Sequence, residues 1–188
     1  MLDGQLVNIR LMRESDIEKY YELHENVKNR GPYYPTEPNT IQSISQLKKR
    51  IQEDGYWDPM SRFSVLLVTD KSGTLIGRVN LFPARHGYDG HEIGWITFET
   101  ENRGKGYTTE AVQLVVKWMF GGLKINRIEA YIHPDNVASK RVAEKCGFTY
   151  EATLRGIWFQ HGQYHDLMLY SILRSELSFA KPPQIIPP

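Results

Sequence analysis

Residues 100–111 read TENRGKGYTTEA, and this stretch decides the fold because it joins a predicted strand to a predicted helix. Gly104 and Gly106 allow a tight turn that directs consecutive backbone N–H groups outward. The helix that follows adds its own unpaired N–H groups and the positive end of its dipole. The stretch therefore predicts an anion-binding turn, with phosphate as the anion.

Two other phosphate-binding patterns do not fit this stretch. A Walker loop needs Ser or Thr after its Gly-Lys pair, but Gly106 follows Lys105. The dinucleotide fingerprint needs a third glycine at the position of Thr109. A Gly-x-Gly pair on its own is equally compatible with an ordinary tight turn, so the surrounding sequence must decide.

Hydrophobic periodicity divides the rest of the chain into strands and helices. Strands are predicted over residues 6–12, 63–69, 75–82, 91–99, 127–132, 148–159 and 163–173. Helices are predicted over residues 15–27, 40–53, 107–120 and 136–145. Strands followed directly by helices predict a mixed α/β domain whose helices pack against a sheet.

Length and composition exclude several classes of protein. The 188 residues fit one domain, and 23 basic against 22 acidic residues predict no nucleic-acid partner and no membrane partner. The apolar runs are shorter than the ~20 residues that cross a bilayer, and residues 1–4 show no signal region, so we expect a cytoplasmic protein. A single cysteine, Cys146, excludes an internal disulfide and a multi-thiolate metal site.

The predicted domain covers residues 1–180 and is followed by a short tail. Residues 181–188 contain four prolines, which predicts an extended or disordered segment. No repeat or linker divides the domain.

The stretch RGKGYTTEA, followed by HPDNVASKRVAEKCGF, resembles the acetyl-CoA-binding core of the GNAT N-acetyltransferase superfamily. The pattern of that family is Arg/Gln-x-x-Gly-x-Gly/Ala, and its six positions correspond to Arg103, Gly104, Lys105, Gly106, Tyr107 and Thr108. Thr108 departs from the pattern, because the family has Gly or Ala there. A threonine must turn its methyl group away from the ligand and could donate its hydroxyl.

Three further segments look like the ribosomal-protein-alanine acetyltransferase (RimJ/RimL-like) branch: GQLVNIRLMRESDIEKYYEL, HEIGWITFE and TLRGIWFQHGQYHDLMLYSILRSE. The resemblance implies an α+β GNAT fold, with a mostly antiparallel, splayed sheet of six to seven strands and about four helices. It implies acetyl transfer from acetyl-CoA to a primary amine by direct attack in a ternary complex. The expected acceptor is a protein N-terminal amine, and the expected assembly is a monomer or homodimer.

Two alternatives to this function stay open. The acceptor could be a small molecule, such as an antibiotic, a polyamine or a metabolite amine. The chain could also be a non-catalytic CoA-binding module, because the tyrosine that many family members use as an acid is replaced here by Ala143.

The resemblance also assigns residues to the acetyl-CoA site. Splayed strands would leave a backbone N–H free to polarise the thioester carbonyl, and that donor lies among Trp95, Ile96, Thr97 and Phe98. Asn136 would bind the pantetheine arm. Ser139, three residues after it, would protonate the departing thiolate; the competing interpretation is a helix serine bonded to a carbonyl one turn back.

Glu92, early on the strand before the glycines, is the candidate general base, acting directly or through water. It could equally be a solvated strand carboxylate. His91 must point to the opposite face of the strand, because side chains alternate. Tyr33, Tyr34 and Trp158 are predicted to line the acceptor site together with Glu92, although aromatic residues in such loops more often serve packing.

Four other reactive residues are interpreted as structural. Cys146 is expected to be a buried hydrophobe and not a nucleophile. His161 and His165 flank a turn, so no metal site is predicted there. His133 is taken as isolated.

Overall fold

The secondary structure follows the predicted segments closely. The computed structural model describes residues 1–26, 29, 32–33, 43–53, 64–83 and 90–177. Its strands are β1 (Leu2–Asp3), β2 (Val7–Leu11), β3 (Ser64–Asp70), β4 (Leu75–Pro83), β5 (Gly90–Thr97), β6 (Arg127–Ile132), β7 (Thr149–Gln160) and β8 (Gln163–Leu173). Its α-helices within these residues are α1 (Ile17–Glu25), α2 (Ile44–Glu53), α3 (Tyr107–Gly122) and α4 (Val137–Lys145).

The strands form one sheet in the order β1-β2-β3-β4-β5-β6-β8-β7. Neighbours are antiparallel except β5 and β6, which are parallel. The sheet has eight strands where six to seven were expected. The additional strand is β1, whose two residues carry no periodic signal and are recognised only by their pairing with Ile9 and Asn8 of β2.

The parallel neighbours β5 and β6 diverge along their length. Their last paired residues are Glu92 and Glu129, whereas β5 continues to Thr97 and β6 to Ile132. The sheet is therefore splayed, as the resemblance implied. We call the space between the unpaired ends the β5–β6 gap.

The two faces of the sheet pack against different helices. On the α3 face, the side chains of Val79, Ile93 and Ile128 join a core with the buried side of α3. On the α1 face, Leu67 and Phe98 pack against residues of α1. The alternation of side chains along β5 therefore decides which residues face α3 and which face α1.

Glu110, in the first turn of α3, hydrogen-bonds the segment at the start of β2. Its carboxylate accepts backbone N–H groups from Gln5, Leu6 and Val7 at 2.8, 2.7 and 2.8 Å. A Cβ at Gly4 would lie 2.7 Å from the same carboxylate, so glycine permits this close approach. Glu110 thus serves a structural role at the start of α3.

Replacing Glu110 with alanine should lower the free energy of unfolding by about 2 kcal/mol, because it leaves backbone donors without their charged acceptor. Urea denaturation followed by circular dichroism measures the change. Glu101→Ala is the matched control, because it removes an exposed acid from the turn before α3. A loss no larger than that of the control would contradict the role of Glu110.

The described helices include none long and apolar enough to span a membrane. Residues 178–188 lie outside the described residues, so the tail and the domain boundary at residue 180 stay predictions.

Candidate active site

The glycine turn (residues 103–106) presents backbone N–H groups at the start of α3. Gly104 and Gly106 have φ angles of 76° and 86°, in the left-handed region that glycine adopts without strain. Gly106 is the N-cap of α3 and supplies no side-chain hydrogen bond to its first turn. The turn is exposed. Its backbone donors and the dipole of a 16-residue helix can therefore act together on an anion.

Basic and aromatic side chains surround this turn. Arg103 and Lys105 are exposed, and the Lys105 ammonium lies 6.0 Å from the centre of the Tyr107 ring. Both cations can add charge to the backbone donors of the turn.

Thr108 uses its hydroxyl within the protein. The hydroxyl contacts that of Thr97 on β5, so the side chain is directed toward the sheet. This contact gives a physical reason for a threonine where the family has Gly or Ala. It also joins the first turn of α3 to the strand that borders the β5–β6 gap.

Asn29, beyond the end of α1, is a residue that sequence reasoning missed. Its buried side chain donates to the Leu23 carbonyl and accepts the backbone N–H of Glu99, both at 2.9 Å. Glu99 has a φ of 58°, unusual for a residue other than glycine. Asn29 thus holds the chain between β5 and the glycine turn. Its partner is 70 positions away in the sequence, so no local pattern could reveal the contact.

The four residues proposed as thioester-polarising donors direct their N–H groups to two different sides of β5. The N–H of Phe98 donates to the Ile76 carbonyl of β4 at 2.9 Å. Because successive residues direct their N–H groups to opposite sides of a strand, Ile96 also faces β4, whereas Trp95 and Thr97 face the β5–β6 gap. The candidate donors are therefore the N–H groups of Trp95 and Thr97.

The start of α4 places Asn136 and Ser139 next to each other. Asn136 is the N-cap, and its Oδ1 accepts the Ser139 backbone N–H at 3.1 Å. The Ser139 hydroxyl makes no hydrogen bond to the described residues, so it does not follow the competing interpretation of a bond one turn back. The oxygen of Asn136 therefore has a structural role, whereas no described residue bonds its amide NH₂.

Glu92 lies on the α1 face where β5 and β6 begin to diverge. It pairs with Glu129 across the parallel strands, and the two carboxylates share this face. His91 points to the opposite face and is buried, as alternation predicts.

Glu129 and Glu151 are both hydrogen-bonded by Arg127. The Nε of Arg127 donates to Glu129, and its two terminal nitrogens donate to Glu151, each at 2.7 Å. The hydroxyl of Tyr131 also donates to Glu129, at 3.0 Å. The bonds from Arg127, followed by one from Ser171, lower the pKa of Glu151. The two acids therefore share one guanidinium, which offsets one of their two negative charges.

Tyr33 and Trp158 are brought together around His133. The Tyr33 ring stacks on His133 with centroids 4.8 Å apart, and its hydroxyl donates to the Asp135 carbonyl at 3.2 Å. Trp158 meets His133 edge-on at 6.4 Å. Tyr34, the third aromatic residue predicted at this site, lies outside the described residues.

His133 is not isolated, and that sequence-based interpretation was wrong. Its Nδ1 accepts the Asp135 N–H at 3.2 Å, and its Nε2 lies 3.5 Å from Nδ1 of His165. The Nε2 of His165 lies 3.2 Å from the Gln160 carbonyl. This network assigns the proton of each neutral imidazole to Nε2.

The aromatic cluster (Tyr33, His133, Trp158 and His165) and Glu92 lie toward opposite ends of one surface. Continuing the alternation of β6 from Glu129 places His133 on the α1 face, about 13 Å further along the chain at 3.3 Å per residue. An extended acceptor can lie between the two ends.

Cys146 is buried, and its Sγ lies 3.5 Å from the Thr109 carbonyl. Burial raises the pKa of its thiol to about 12. The thiol therefore stays protonated near neutral pH, which agrees with a packing role. In the described part of the chain, no group of three His, Cys, Asp or Glu side chains is arranged to hold a metal ion.

Replacing Cys146 with alanine should leave kcat unchanged, because a protonated, buried thiol cannot act as a nucleophile. Steady-state kinetics of the variant, together with iodoacetamide treatment of the native protein, measure this. Loss of turnover in a variant that still binds CoA would contradict the packing role.

Comparison with known families identifies the class of protein. The family described as acetyltransferase (GNAT) domain matches residues 7–149, and the chain belongs to this family. YjcK of Bacillus subtilis, named a probable N-acetyltransferase, is 32% identical over 176 residues, which cover 86% of this chain and 93% of YjcK. YdaF of the same organism, provisionally named a ribosomal N-acetyltransferase, is 29% identical over 174 residues, covering 90% and 92% of the two chains.

Two solved structures share the fold. RimJ of Mycobacterium smegmatis, in complex with CoA-disulfide, has a TM-score of 0.77 at 20% identity, covering 94% of this chain and 88% of RimJ. The spermidine N-acetyltransferase of Vibrio cholerae, in complex with CoA and spermine, has a TM-score of 0.76 at 22% identity, covering 92% and 98%. The protein is therefore an N-acetyltransferase of the GNAT fold, as the sequence motifs implied.

Proposed function

We propose that the protein transfers the acetyl group of acetyl-CoA to the N-terminal amine of a protein, by direct attack in a ternary complex. It would do so as a monomer or homodimer and without a metal ion. The observation that carries this proposal is the β5–β6 gap. The glycine turn follows β5, the N–H groups of Trp95 and Thr97 face the gap, and α4 follows β6.

Each requirement of the reaction has a candidate residue. The amine gives a proton to Glu92, directly or through water, and its lone pair then attacks the thioester carbonyl carbon. The N–H of Trp95 or Thr97 stabilises the negative charge that develops on the carbonyl oxygen. The C–N bond forms, the C–S bond breaks, and the thiolate takes a proton from the Ser139 hydroxyl. The serine oxygen takes the second proton that the new amide nitrogen loses, directly or through water, and Glu92 releases its proton to solvent.

The hydrogen bonding of the acids near Glu92 favours an acceptor with one ammonium group over a polycation. Arg127 donates to both Glu129 and Glu151, so one guanidinium occupies oxygens of both carboxylates and offsets one of their two charges. A polyamine would need several carboxylates to balance its charges. A peptide N-terminus brings one ammonium group, and its side chains can reach the aromatic cluster (Tyr33, His133, Trp158 and His165).

An acceptor panel tests the proposal. The purified protein is incubated with acetyl-CoA and peptides that begin with Ala, Ser or Met and lack lysine, and thiol release is measured. The same peptides carrying an Nα-acetyl group are the matched controls, and spermidine and an aminoglycoside represent small-molecule acceptors.

We expect thiol release with the free peptides and none with the blocked ones. A higher kcat/KM for spermidine or the aminoglycoside would replace the proposed acceptor with a small molecule. Tight CoA binding without turnover on any amine would reject the enzyme and leave a CoA-binding module.

A further inference from the structure

Asn80, on β4, has a buried side-chain amide that makes no hydrogen bond to the described residues. The residue is 8% exposed, and its Oδ1 is inaccessible to solvent. Buried amide oxygens nearly always accept a hydrogen bond, because leaving one unsatisfied destabilises the fold. This side chain is therefore suited to a partner that is not part of the protein.

The neighbouring polar side chain on the same strand does find a partner inside the protein. Arg78 lies two residues before Asn80 on the α1 face and donates to the hydroxyl of Tyr20 in α1. Residues i and i+2 of a strand share a face, so Asn80 points in the same direction. The helix thus bonds a terminal nitrogen of Arg78, whereas no described residue bonds the Asn80 amide.

Gly94 lies directly across from Asn80 on β5, and among the described residues it leaves room beside this amide. The two residues are paired, with Cα atoms about 5.5 Å apart in such a pair. The nearest described atom to a Cβ built at Gly94 would be Phe82 Cε2, at 3.9 Å. At Gly77, by contrast, a Cβ would lie 2.4 Å from the Ile96 carbonyl, so backbone packing requires that glycine. No such contact requires Gly94.

The position above Gly94 borders three groups that matter to the reaction. Glu92, two residues before Gly94, lies on the same face about 7 Å away along the strand. The next residue, Trp95, directs its N–H into the β5–β6 gap, as shown above. Asn80, across from Gly94 on β4, is the third group and offers a hydrogen-bond acceptor.

We propose that Asn80 is a substrate-positioning residue, whose Oδ1 accepts an N–H of the acceptor amine seated above Gly94 once a rotation of the side-chain amide directs that oxygen toward the amine. The inference rests on the proposed function and names the place where the amine binds. A primary amine that has given one proton to Glu92 keeps two N–H groups and a lone pair. Holding one N–H at Asn80 orients the lone pair toward the thioester carbon.

The test replaces Asn80 with leucine, an apolar side chain of similar volume. Because the buried amide is unsatisfied in the free protein, Asn80→Leu should have a Tm equal to or above that of the native protein. Its kcat/KM for a free N-terminal peptide should fall about 10- to 100-fold, the range for one lost buried hydrogen bond. Its Kd for CoA should be unchanged.

Asn8→Leu is the matched control. Asn8 lies on β2, two strands from β4, and its amide oxygen accepts from Lys71 at 2.8 Å. This variant should keep the native kcat/KM. A lower Tm with native kcat/KM in Asn80→Leu would make Asn80 a structural residue and overturn the proposal.

A second variant and a measurement on the native protein keep the proposal testable if the leucine variant does not fold. Gly94→Ala fills the proposed amine position with a methyl group that meets no described atom closer than 3.9 Å. It should fold and should also lower kcat/KM for the peptide. In NMR spectra of the native protein bound to CoA, the side-chain amide resonance of Asn80 should shift when the peptide is added. Native kcat/KM in Gly94→Ala, or an unshifted resonance, would overturn the proposal.

These outcomes separate this proposal from the proposed function. If the native protein acetylates no amine, the proposed function fails, while the resonance still reports whether an amine binds at Asn80. If the native protein and Asn80→Leu acetylate the peptide equally well, the assignment of Asn80 fails by itself.

Discussion

Replacing Ser139 with alanine should lower kcat about 10²-fold, the usual contribution of a general acid or base. The hydroxyl makes no hydrogen bond to the described residues, so its loss removes a proton donor without breaking a described contact. The Kd for acetyl-CoA, measured by calorimetry, should be unchanged, because we expect the phosphates to bind at the glycine turn. The defect should therefore appear in turnover and not in binding.

Ser139→Thr is the matched comparison, because it keeps a hydroxyl at the same position. It should recover part of the activity that alanine loses. Unchanged turnover in Ser139→Ala would remove the residue from the acid role and would favour protonation by water.

Replacing Glu92 with glutamine should lower kcat/KM for the acceptor about 10²-fold near neutral pH, because the variant cannot take the ammonium proton. A free α-amino group has a pKa near 8. As the pH rises through this value, solvent removes the proton, so the defect should shrink. A pH profile of kcat/KM for both proteins measures this change.

Glu144→Gln is the control, since it removes the same charge from an exposed position on α4. It should follow the native profile. A defect in Glu92→Gln that stays constant with pH would indicate a role in binding the ammonium group rather than in removing its proton.

The parts of the site that depend on short sequence patterns could be predicted. Gly104 and Gly106 are close in the sequence, and their positive φ values follow from residue type. The N-cap role of Asn136 also depends on residues within one helical turn. The family resemblance assigned this side chain only to the pantetheine arm. The predicted helix over residues 107–120 corresponds to α3 for the same reason, because an apolar stripe at helical spacing is a local signal.

The parts that depend on contacts between distant segments could not be predicted from periodicity. Tyr33 and Asp135 are 102 positions apart, and no spacing rule brings them together around His133. The Asn29–Glu99 contact crosses 70 positions. The β5–β6 gap came from the family resemblance, because an unpaired strand end has the same alternation as a paired one. Asn80 had no sequence signal at all, since its significance is the absence of a partner.

The glycine turn has a consequence for how such enzymes diversify. It recognises its anion through main-chain groups, which every residue except proline carries, so substitutions elsewhere leave this recognition in place. The proposed acceptor site consists instead of side chains, those of Glu92, Tyr33 and Trp158, and each can be exchanged separately. Use of acetyl-CoA thus depends on the backbone, whereas the choice of acceptor depends on side chains that can change. A few substitutions in a directed-evolution library are therefore enough to change the acceptor.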